Sequence, residues 1–354
     1  MSDFLLQVKN LHTSFFTDSG EVKAVNGISF DLPHGKILGI VGESGSGKSV
    51  TAYSIMQILQ FPGRVIEGEV LLDGTDLLKL SKKEMQKIRG DKISMIFQDP
   101  MTSLNPVFTI GNQIGEAIKL HTDLRGSDVQ KRTLELLSLV GINEPERRIL
   151  QYPFEFSGGM RQRAMIAMAL ACEPDLLIAD EPTTALDVTI QAQIIELIQS
   201  LQKKLGMAVI MITHDLGVIA SICDEIIVMY AGGICERGDA DDIFYQPKHS
   251  YTRGLLNSIP KVSKSSERLV PIHGTPIDLL NLPPGCPFAP RCKEAMNICL
   301  REHPEEWHIG GRHYASCWAN ARDLLAESGD LKVSAKTGQT ETEPPTDRET
   351  EVDS

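Results

Sequence analysis

A chain of 354 residues has room for one large domain with an appendage, or for two modest ones. Its 42% apolar and 23% charged residues are ordinary globular values. The formal net charge of −12 argues against a general nucleic-acid binder, because no basic excess is available to neutralise phosphates. Eight acids against three bases from Glu327 onward account for five of those negative charges. No apolar run approaches the roughly 20 residues that cross a bilayer. Met1-Ser2-Asp3-Phe4 has neither a basic nor an apolar leader character, so the chain is expected in the cytoplasm, reaching a membrane only through protein partners.

Residues 4 to about 97 alternate short apolar runs with turns. Residues 5–8, 27–32, 37–41 and 68–72 read as strands, and Asp73-Gly74 as a tight turn. Between the strand at 37–41 and a helical pattern over 49–59 stands Gly42-Glu43-Ser44-Gly45-Ser46-Gly47-Lys48-Ser49, a full match to G-x-x-x-x-G-K-[ST]. The glycines let successive N–H groups turn inward, and the new helix adds its positive dipole end. Lys48 then reaches the β- and γ-phosphates of a nucleotide, and the Ser49 hydroxyl ligates Mg²⁺.

From about 98 to 162 the pattern turns helical. Ile110, Ile114, Ala117 and Ile118 recur at helical spacing, as do Leu134, Leu137 and Val140 before Gly141. Strands return at 176–179 and 209–212. Between them Ile190, Ile194, Leu197, Ile198, Leu201 and Leu205 form one face of a helix that stops at Gly206. Apolar strands separated by helices predict a mostly parallel sheet covered on both faces.

The strand at 176–179 delivers Asp180 and Glu181 at its end. Asp180 is placed for the Mg²⁺ shell and Glu181 to polarise an attacking water, since phosphoryl transfer needs mainly positioning and charge compensation. Gln98 and His214, each following a strand, complete a γ-phosphate sensor: Gln98 toward Mg²⁺ and the water, His214 toward the γ-phosphate. Ser157-Gly158-Gly159 opens a further helix and forms a second anion site of the same physical type. One chain with one triphosphate has no use for two such sites. Two copies of the fold do, if each helix start closes on the other's nucleotide.

The order of phosphate loop, Gln98, Ser157-Gly158-Gly159, Asp180-Glu181, Ala185-Leu186-Asp187 and His214 resembles the ATPase subunits of ABC transporters over about residues 4–240. The resemblance implies an α/β P-loop NTPase fold of ABC type: a mostly parallel sheet, an antiparallel β part and a helical subdomain over about 98–165 that docks on a membrane subunit. It also implies a signature motif at Ser157, Gly158 and Gly159 acting in trans, Asp187 in the loop joining two protomers, and an aromatic on adenine, Phe15 or Phe16 with Phe15 preferred. Met160 departs from the Gln that many members carry, without threatening ATP binding. ATP hydrolysis and Mg²⁺ dependence are expected. A soluble ABC ATPase acting on nucleic acid or ribosomes is the alternative; the single ATPase half and the acidic balance disfavour it.

Beyond residue 245 the chain is rich in Pro, His and Cys, and 246–322 reads as a small appended domain with thin apolar content. Cys172, Cys223 and Cys235 stand in apolar context as core residues. Cys286, Cys292, Cys299 and Cys317 crowd together, which in a reducing compartment suggests a metal site before disulfides. Residues 246–320, through Gln246 to Thr252, Ile272-His273-Gly274 and Gly285 to Cys292, resemble the extension of ATPases that serve oligopeptide, dipeptide and nickel importers. In that branch four cysteines can hold a [4Fe–4S] cluster, and spacing without a C-x-x-C knuckle favours the cluster over zinc, with free thiols the third option. The resemblance implies peptide import, with nickel or another small solute as the alternative. The implied partners are a second ATPase, two membrane permeases and an extracytoplasmic peptide-binding protein, with the chain peripheral at the cytoplasmic face of the membrane. The tail over 323–354 is polar and acidic and is expected to be disordered.

Overall fold

The computed structural model describes residues 3–258, Ala185 excepted, and 271–321. The acidic tail over 323–354 lies outside the described residues. A long hairpin of β1 (Phe4–Thr17) and β2 (Gly20–Pro33) opens the chain. Next come β3 (Ile37–Val41), α1 (Lys48–Ile55), β4 (Gly63–Leu72), β5 (Thr75–Asp76), α2 (Lys82–Ile88) and β6 (Ile93–Ile96). A helical stretch follows: α3 (Pro100–Ser103), α4 (Ile110–His121), α5 (Ser127–Leu139), α6 (Pro145–Arg148) and α7 (Gly158–Ala169). The core resumes with β7 (Leu176–Asp180), α8 (Val188–Leu205), β8 (Ala208–Ile212), α9 (Leu216–Ile222), β9 (Glu225–Tyr230), β10 (Gly233–Asp239), α10 (Ala240–Tyr245) and α11 (Ser250–Asn257). The C-terminal segment adds β11 (Trp307–Gly310) and β12 (His313–Ala315).

Two sheets result, one of four strands in the order β2-β1-β4-β5 and one of eight in the order β11-β12-β10-β9-β3-β8-β7-β6. In the large sheet β9, β3, β8, β7 and β6 run parallel, while β10, β12 and β11 add antiparallel edges. Every residue of β3, β7 and β8 is buried, as their unbroken apolar runs demand. Alternation then sends Ile37, Val41, Leu177, Ala179, Val209 and Met211 into a core against the helices. Leu38, Ile40, Leu176, Ile178, Ala208 and Ile210 enter a second core against the four-stranded sheet. The large sheet is therefore the middle layer.

β1 and β2 are far longer than the expected runs at 5–8 and 27–32, because bulges near Val8, Leu11 and Thr13 break the alternation along the hairpin and leave only short apolar runs. α8 is capped by Asp187, whose side chain accepts from the Ile190 N–H at 3.0 Å, and closed by Gly206 with φ 71. No helix among the described residues is long and apolar enough to cross a membrane.

Candidate functional site

The parallel strands β3, β8, β7 and β6 are neighbours, and each delivers its polar residues just beyond its carboxyl end. Such an edge is where open α/β sheets bind ligands. The loop after β3 curls through Gly42, Gly45 and Gly47, with φ of 151, 78 and 102. A Cβ on Gly42 would run into the Met229 carbonyl and one on Gly47 into the Ala24 carbonyl, so backbone packs where a side chain has no room. Lys48 is buried, and its Nζ donates to the carbonyls of Gly42 at 2.8 Å and Glu43 at 2.9 Å. Burial lowers its pKa, against the pull of Glu181, Asp180 and Glu43. An ammonium parked on carbonyls with a lowered pKa gains on meeting a polyphosphate.

Ser49 Oγ donates to Asp180 Oδ1 at 2.8 Å. Asp180 is 0% exposed, and its Oδ2 is buried with no hydrogen-bond partner among the described residues. Burial raises the Asp180 carboxyl above its ordinary value, and the adjacent Glu181 charge adds to this, against the Ser49 hydrogen bond. Tyr53 stands close by, its hydroxyl pushed up to about 12 by burial and by the Asp180 carboxylate. A hydroxyl and an orphaned, reluctantly ionised carboxylate oxygen are donors that suit a hard divalent cation.

Glu181 has φ 47, a strained value for a non-glycine residue. Its N–H donates to the Ile212 carbonyl at 2.8 Å. Its carboxylate accepts from Gln98 Nε2 at 2.9 Å and Thr184 Oγ1 at 2.8 Å, and lies 3.4 Å from His214 Nδ1. The expected Gln98, Glu181 and His214 thus meet in one cluster. Thr184 was missed, although it stands three residues after Glu181 in a run of small polar residues.

Ser157 caps α7, its Oγ accepting from the Met160 N–H at 3.3 Å, and Ser157 and Gly158 are exposed. A Cβ on Gly159 would press on Ile190 and one on Gly158 would touch Leu186, so this helix start packs on the first turn of α8 and the loop before it. Among the described residues no hydrogen bond joins Ser157, Gly158 or Gly159 to the phosphate loop. Phe15 is half-buried, its ring edge packed on Gly63, whereas Phe16 is 45% exposed with the Arg64 guanidinium 5.9 Å from its ring centre.

Cys223 and Cys235 are buried in the core and Cys172 is half-buried. Cys286, Cys292, Cys299 and Cys317 all line one small cavity with Phe288 and Trp318. A ready four-thiolate set is not assembled: among the described residues no group of three or more His, Cys, Asp or Glu side chains is placed to hold a metal ion. Burial pushes the Cys286 thiol up to about 11 and raises Cys317 as well, so these two are held as neutral, packed groups.

A phosphate loop, a buried carboxylate at the next strand but one and a glutamate fixed beside it define a P-loop NTPase. Comparisons carry this further. Residues 25–184 match the family described as ABC transporter, and residues 235–299 the oligopeptide/dipeptide transporter C-terminal region. The dipeptide transport ATP-binding protein DppD of Bacillus subtilis is 54% identical over 333 residues, covering 94% of this chain and 99% of that protein. The oligopeptide transport ATP-binding protein OppD of Escherichia coli is 51% identical over 324 residues, covering 92% and 96%. The dimeric ATP-binding cassette MJ0796, solved in a post-hydrolysis state with ADP and Pi, superposes with a TM-score of 0.60 at 30% identity, covering 66% of this chain and 98% of that one. The chain belongs to the ATP-binding subunits of ABC transporters and is an ATPase of that family.

Proposed function

We propose that the chain powers the import of peptides, acting at the cytoplasmic face of a membrane beside two permeases, an extracytoplasmic binding protein and a second ATPase. The observation that carries the ATPase half is the convergence of four strand ends on Ser49, Asp180, Glu181, Gln98 and His214. The peptide half rests on the match over 235–299 and on relatives named for dipeptides and oligopeptides.

In this reading residues 42–49 wrap the phosphates, and Lys48 moves from the carbonyls of Gly42 and Glu43 to the β- and γ-phosphate oxygens. Ser49, Asp180 and Gln98 would hold Mg²⁺, which would supply charge neutralisation to the phosphates. Glu181 orients the attacking water and takes its proton, held in place by Thr184 and Gln98, while His214 donates to the γ-phosphate. Phe15, on the stretch of β1 that Thr13 Oγ1 ties to Ser54 Oγ on α1 at 2.8 Å, is kept as the preferred adenine platform over Phe16. Ser157, Gly158 and Gly159, with Ser157 and Gly158 exposed and no hydrogen bond to the phosphate loop among the described residues, serve the nucleotide of the second ATPase, here read as a related but different chain.

The proposal keeps a [4Fe–4S] cluster at the four cysteines, with zinc the alternative; they line one cavity but would have to draw together and lose their protons to hold either. Anaerobic purification with iron and acid-labile sulfide analysis tests this, and one zinc per chain with no sulfide overturns the cluster. For the function as a whole, the chain is reconstituted in vesicles with its permeases. Peptide-loaded binding protein is expected to stimulate hydrolysis several-fold. Stimulation by nickel-loaded binding protein or by nucleic acid, with none by peptide, overturns the reading.

A further inference from the structure

The second residue of the phosphate loop is held from the far end of the chain. Both arms of the Arg291 guanidinium grip the Glu43 carboxylate, Nη1 to Oε2 at 2.5 Å and Nη2 to Oε1 at 2.9 Å. The Arg291 side chain is only 5% exposed. Its Nε donates to the His273 carbonyl at 3.0 Å, and its guanidinium lies 5.8 Å from the Tyr230 ring centre and 5.9 Å from that of Phe288. A fork held on a third side and flanked by aromatic rings has little freedom left to lose.

The backbone of the same loop residue has its own tether. The Glu43 N–H donates to the Tyr251 hydroxyl at 2.8 Å, and Tyr251 is 0% exposed, packed against Tyr230 and Phe288. Glu43 is also a junction inside the loop. Its carbonyl accepts from Lys48 Nζ at 2.9 Å and from the Ser46 N–H at 3.2 Å. Wherever Glu43 sits, the Lys48 ammonium and the Ser46 amide follow.

A carboxylate is a poor neighbour for a triphosphate. Left unpaired, Glu43 would set a negative charge at the mouth of a cradle built for anions, where two unit charges several ångströms apart repel appreciably even at an effective dielectric of about 20. Arg291 cancels that charge.

We propose that Arg291 and Tyr251 are positioning residues of the nucleotide site: the C-terminal segment holds the phosphate loop in its receiving shape and neutralises Glu43, so nucleotide affinity is set from outside the ATPase core. The proposal rests on the reading of residues 42–49 as the phosphate cradle. Arg291 ends a short turn, Ala289–Arg291, whose Ala289 N–H bonds the Cys286 carbonyl and whose Ala289 carbonyl bonds the Cys292 N–H. The clamp is thereby built into the cysteine-bearing loop.

The test uses the full-length chain, with MgADP as probe in titration calorimetry and ATP hydrolysis in the same preparation. Arg291→Gln is expected to weaken MgADP by about tenfold and to raise KM for ATP similarly, with kcat changed less than twofold. Arg291→Lys recovers part of the loss, because the cation returns without its fork. Arg291→Gln combined with Glu43→Gln is expected to bind MgADP more tightly than Arg291→Gln alone, a rescue that a merely unstable variant cannot show. Tyr251→Phe, which leaves the Glu43 N–H unpaired, is expected to weaken MgADP about threefold and carries the test if Arg291→Gln does not fold. Lys48→Ala is the control. If Lys48→Ala abolishes binding while Arg291→Gln and Tyr251→Phe bind within twofold of the parent, the proposal is overturned and the cradle stands. If Lys48→Ala binds normally, the cradle itself is misread. Costs of Arg291→Gln and Glu43→Gln that simply add also overturn the proposal.

Discussion

His249 ties the stability of the C-terminal segment to pH. It is buried, and its Nδ1 accepts from the Tyr251 N–H at 3.0 Å as the cap of α11, a role open only to an unprotonated nitrogen. Burial, helped by the charges of Arg253 and His303 and opposed by Glu236, lowers its pKa from 6.5 to about 4. Between those values the unfolded chain binds a proton that the folded chain refuses, so stability falls as pH drops from 6.5 toward 4 and recovers as pH rises. Two and a half decades of proton affinity at 1.36 kcal/mol each come to about 3 kcal/mol, a sizeable share of a net stability of about 5–15 kcal/mol. His249→Asn keeps an oxygen that can cap α11 but cannot titrate. Urea unfolding of both proteins at pH 7 and pH 4.5 checks the reasoning, the difference between them removing what other carboxylates contribute. The parent is expected to lose about 2–3 kcal/mol more than His249→Asn over that interval. Parallel losses in the two proteins would refute it.

Glu181→Gln preserves the shape beside Gln98, Thr184 and His214 but removes the proton acceptor, so kcat is expected to fall about 10²–10⁴-fold with MgATP affinity within threefold. Phosphate release above a tenth of the parental rate rules out that role. Gly42→Ala drives a Cβ toward the Met229 carbonyl at φ 151, whereas Gly45→Ala meets nothing within 4 Å at φ 78. Both carry strain of about 1–3 kcal/mol, but only the first is expected to abolish MgADP binding, and equal titrations for the two would contradict this. Glu236, 1% exposed, accepts from the N–H groups of Lys248 and His249 and lies 2.8 Å from His313 Nε2. Glu236→Gln sets an amide donor against one of these donors, at a cost of about 2–4 kcal/mol and a fall in Tm of roughly 5–10 °C, which scanning calorimetry measures.

The nucleotide cradle was legible because its chemistry is local: three glycines, a lysine and a serine within eight residues between a strand and a helix. Asp180 and Glu181 were legible for the same reason, at the end of an apolar run. Gln98 and His214 needed the company of the other motifs, since a single Gln or His carries no signal alone. What escaped was long-range. Arg291 and Glu43 are 248 positions apart, and nothing in either local sequence points to the other. Glu236 and His313 meet across 77 positions, between a strand interior and a three-residue strand too short to show a period. The hairpin of β1 and β2 was seen only in fragments because each bulge resets the alternation. The four cysteines line one cavity, but spacing alone does not arrange thiols for coordination.

β12 lies against β10, pairing Ala315 with Glu236 and Tyr314 with Arg237, although every other neighbour of β10 in the large sheet is complete by residue 239. On the ribosome the nascent ATPase core therefore emerges with one flank of β10 open, offering bare peptide groups to any passing strand. Only when the segment through Ala315 has left the exit tunnel is that flank sealed. Synthesis from the N-terminus thus leaves this chain with a late, vulnerable step, in which the finishing strand must outrun chance partners.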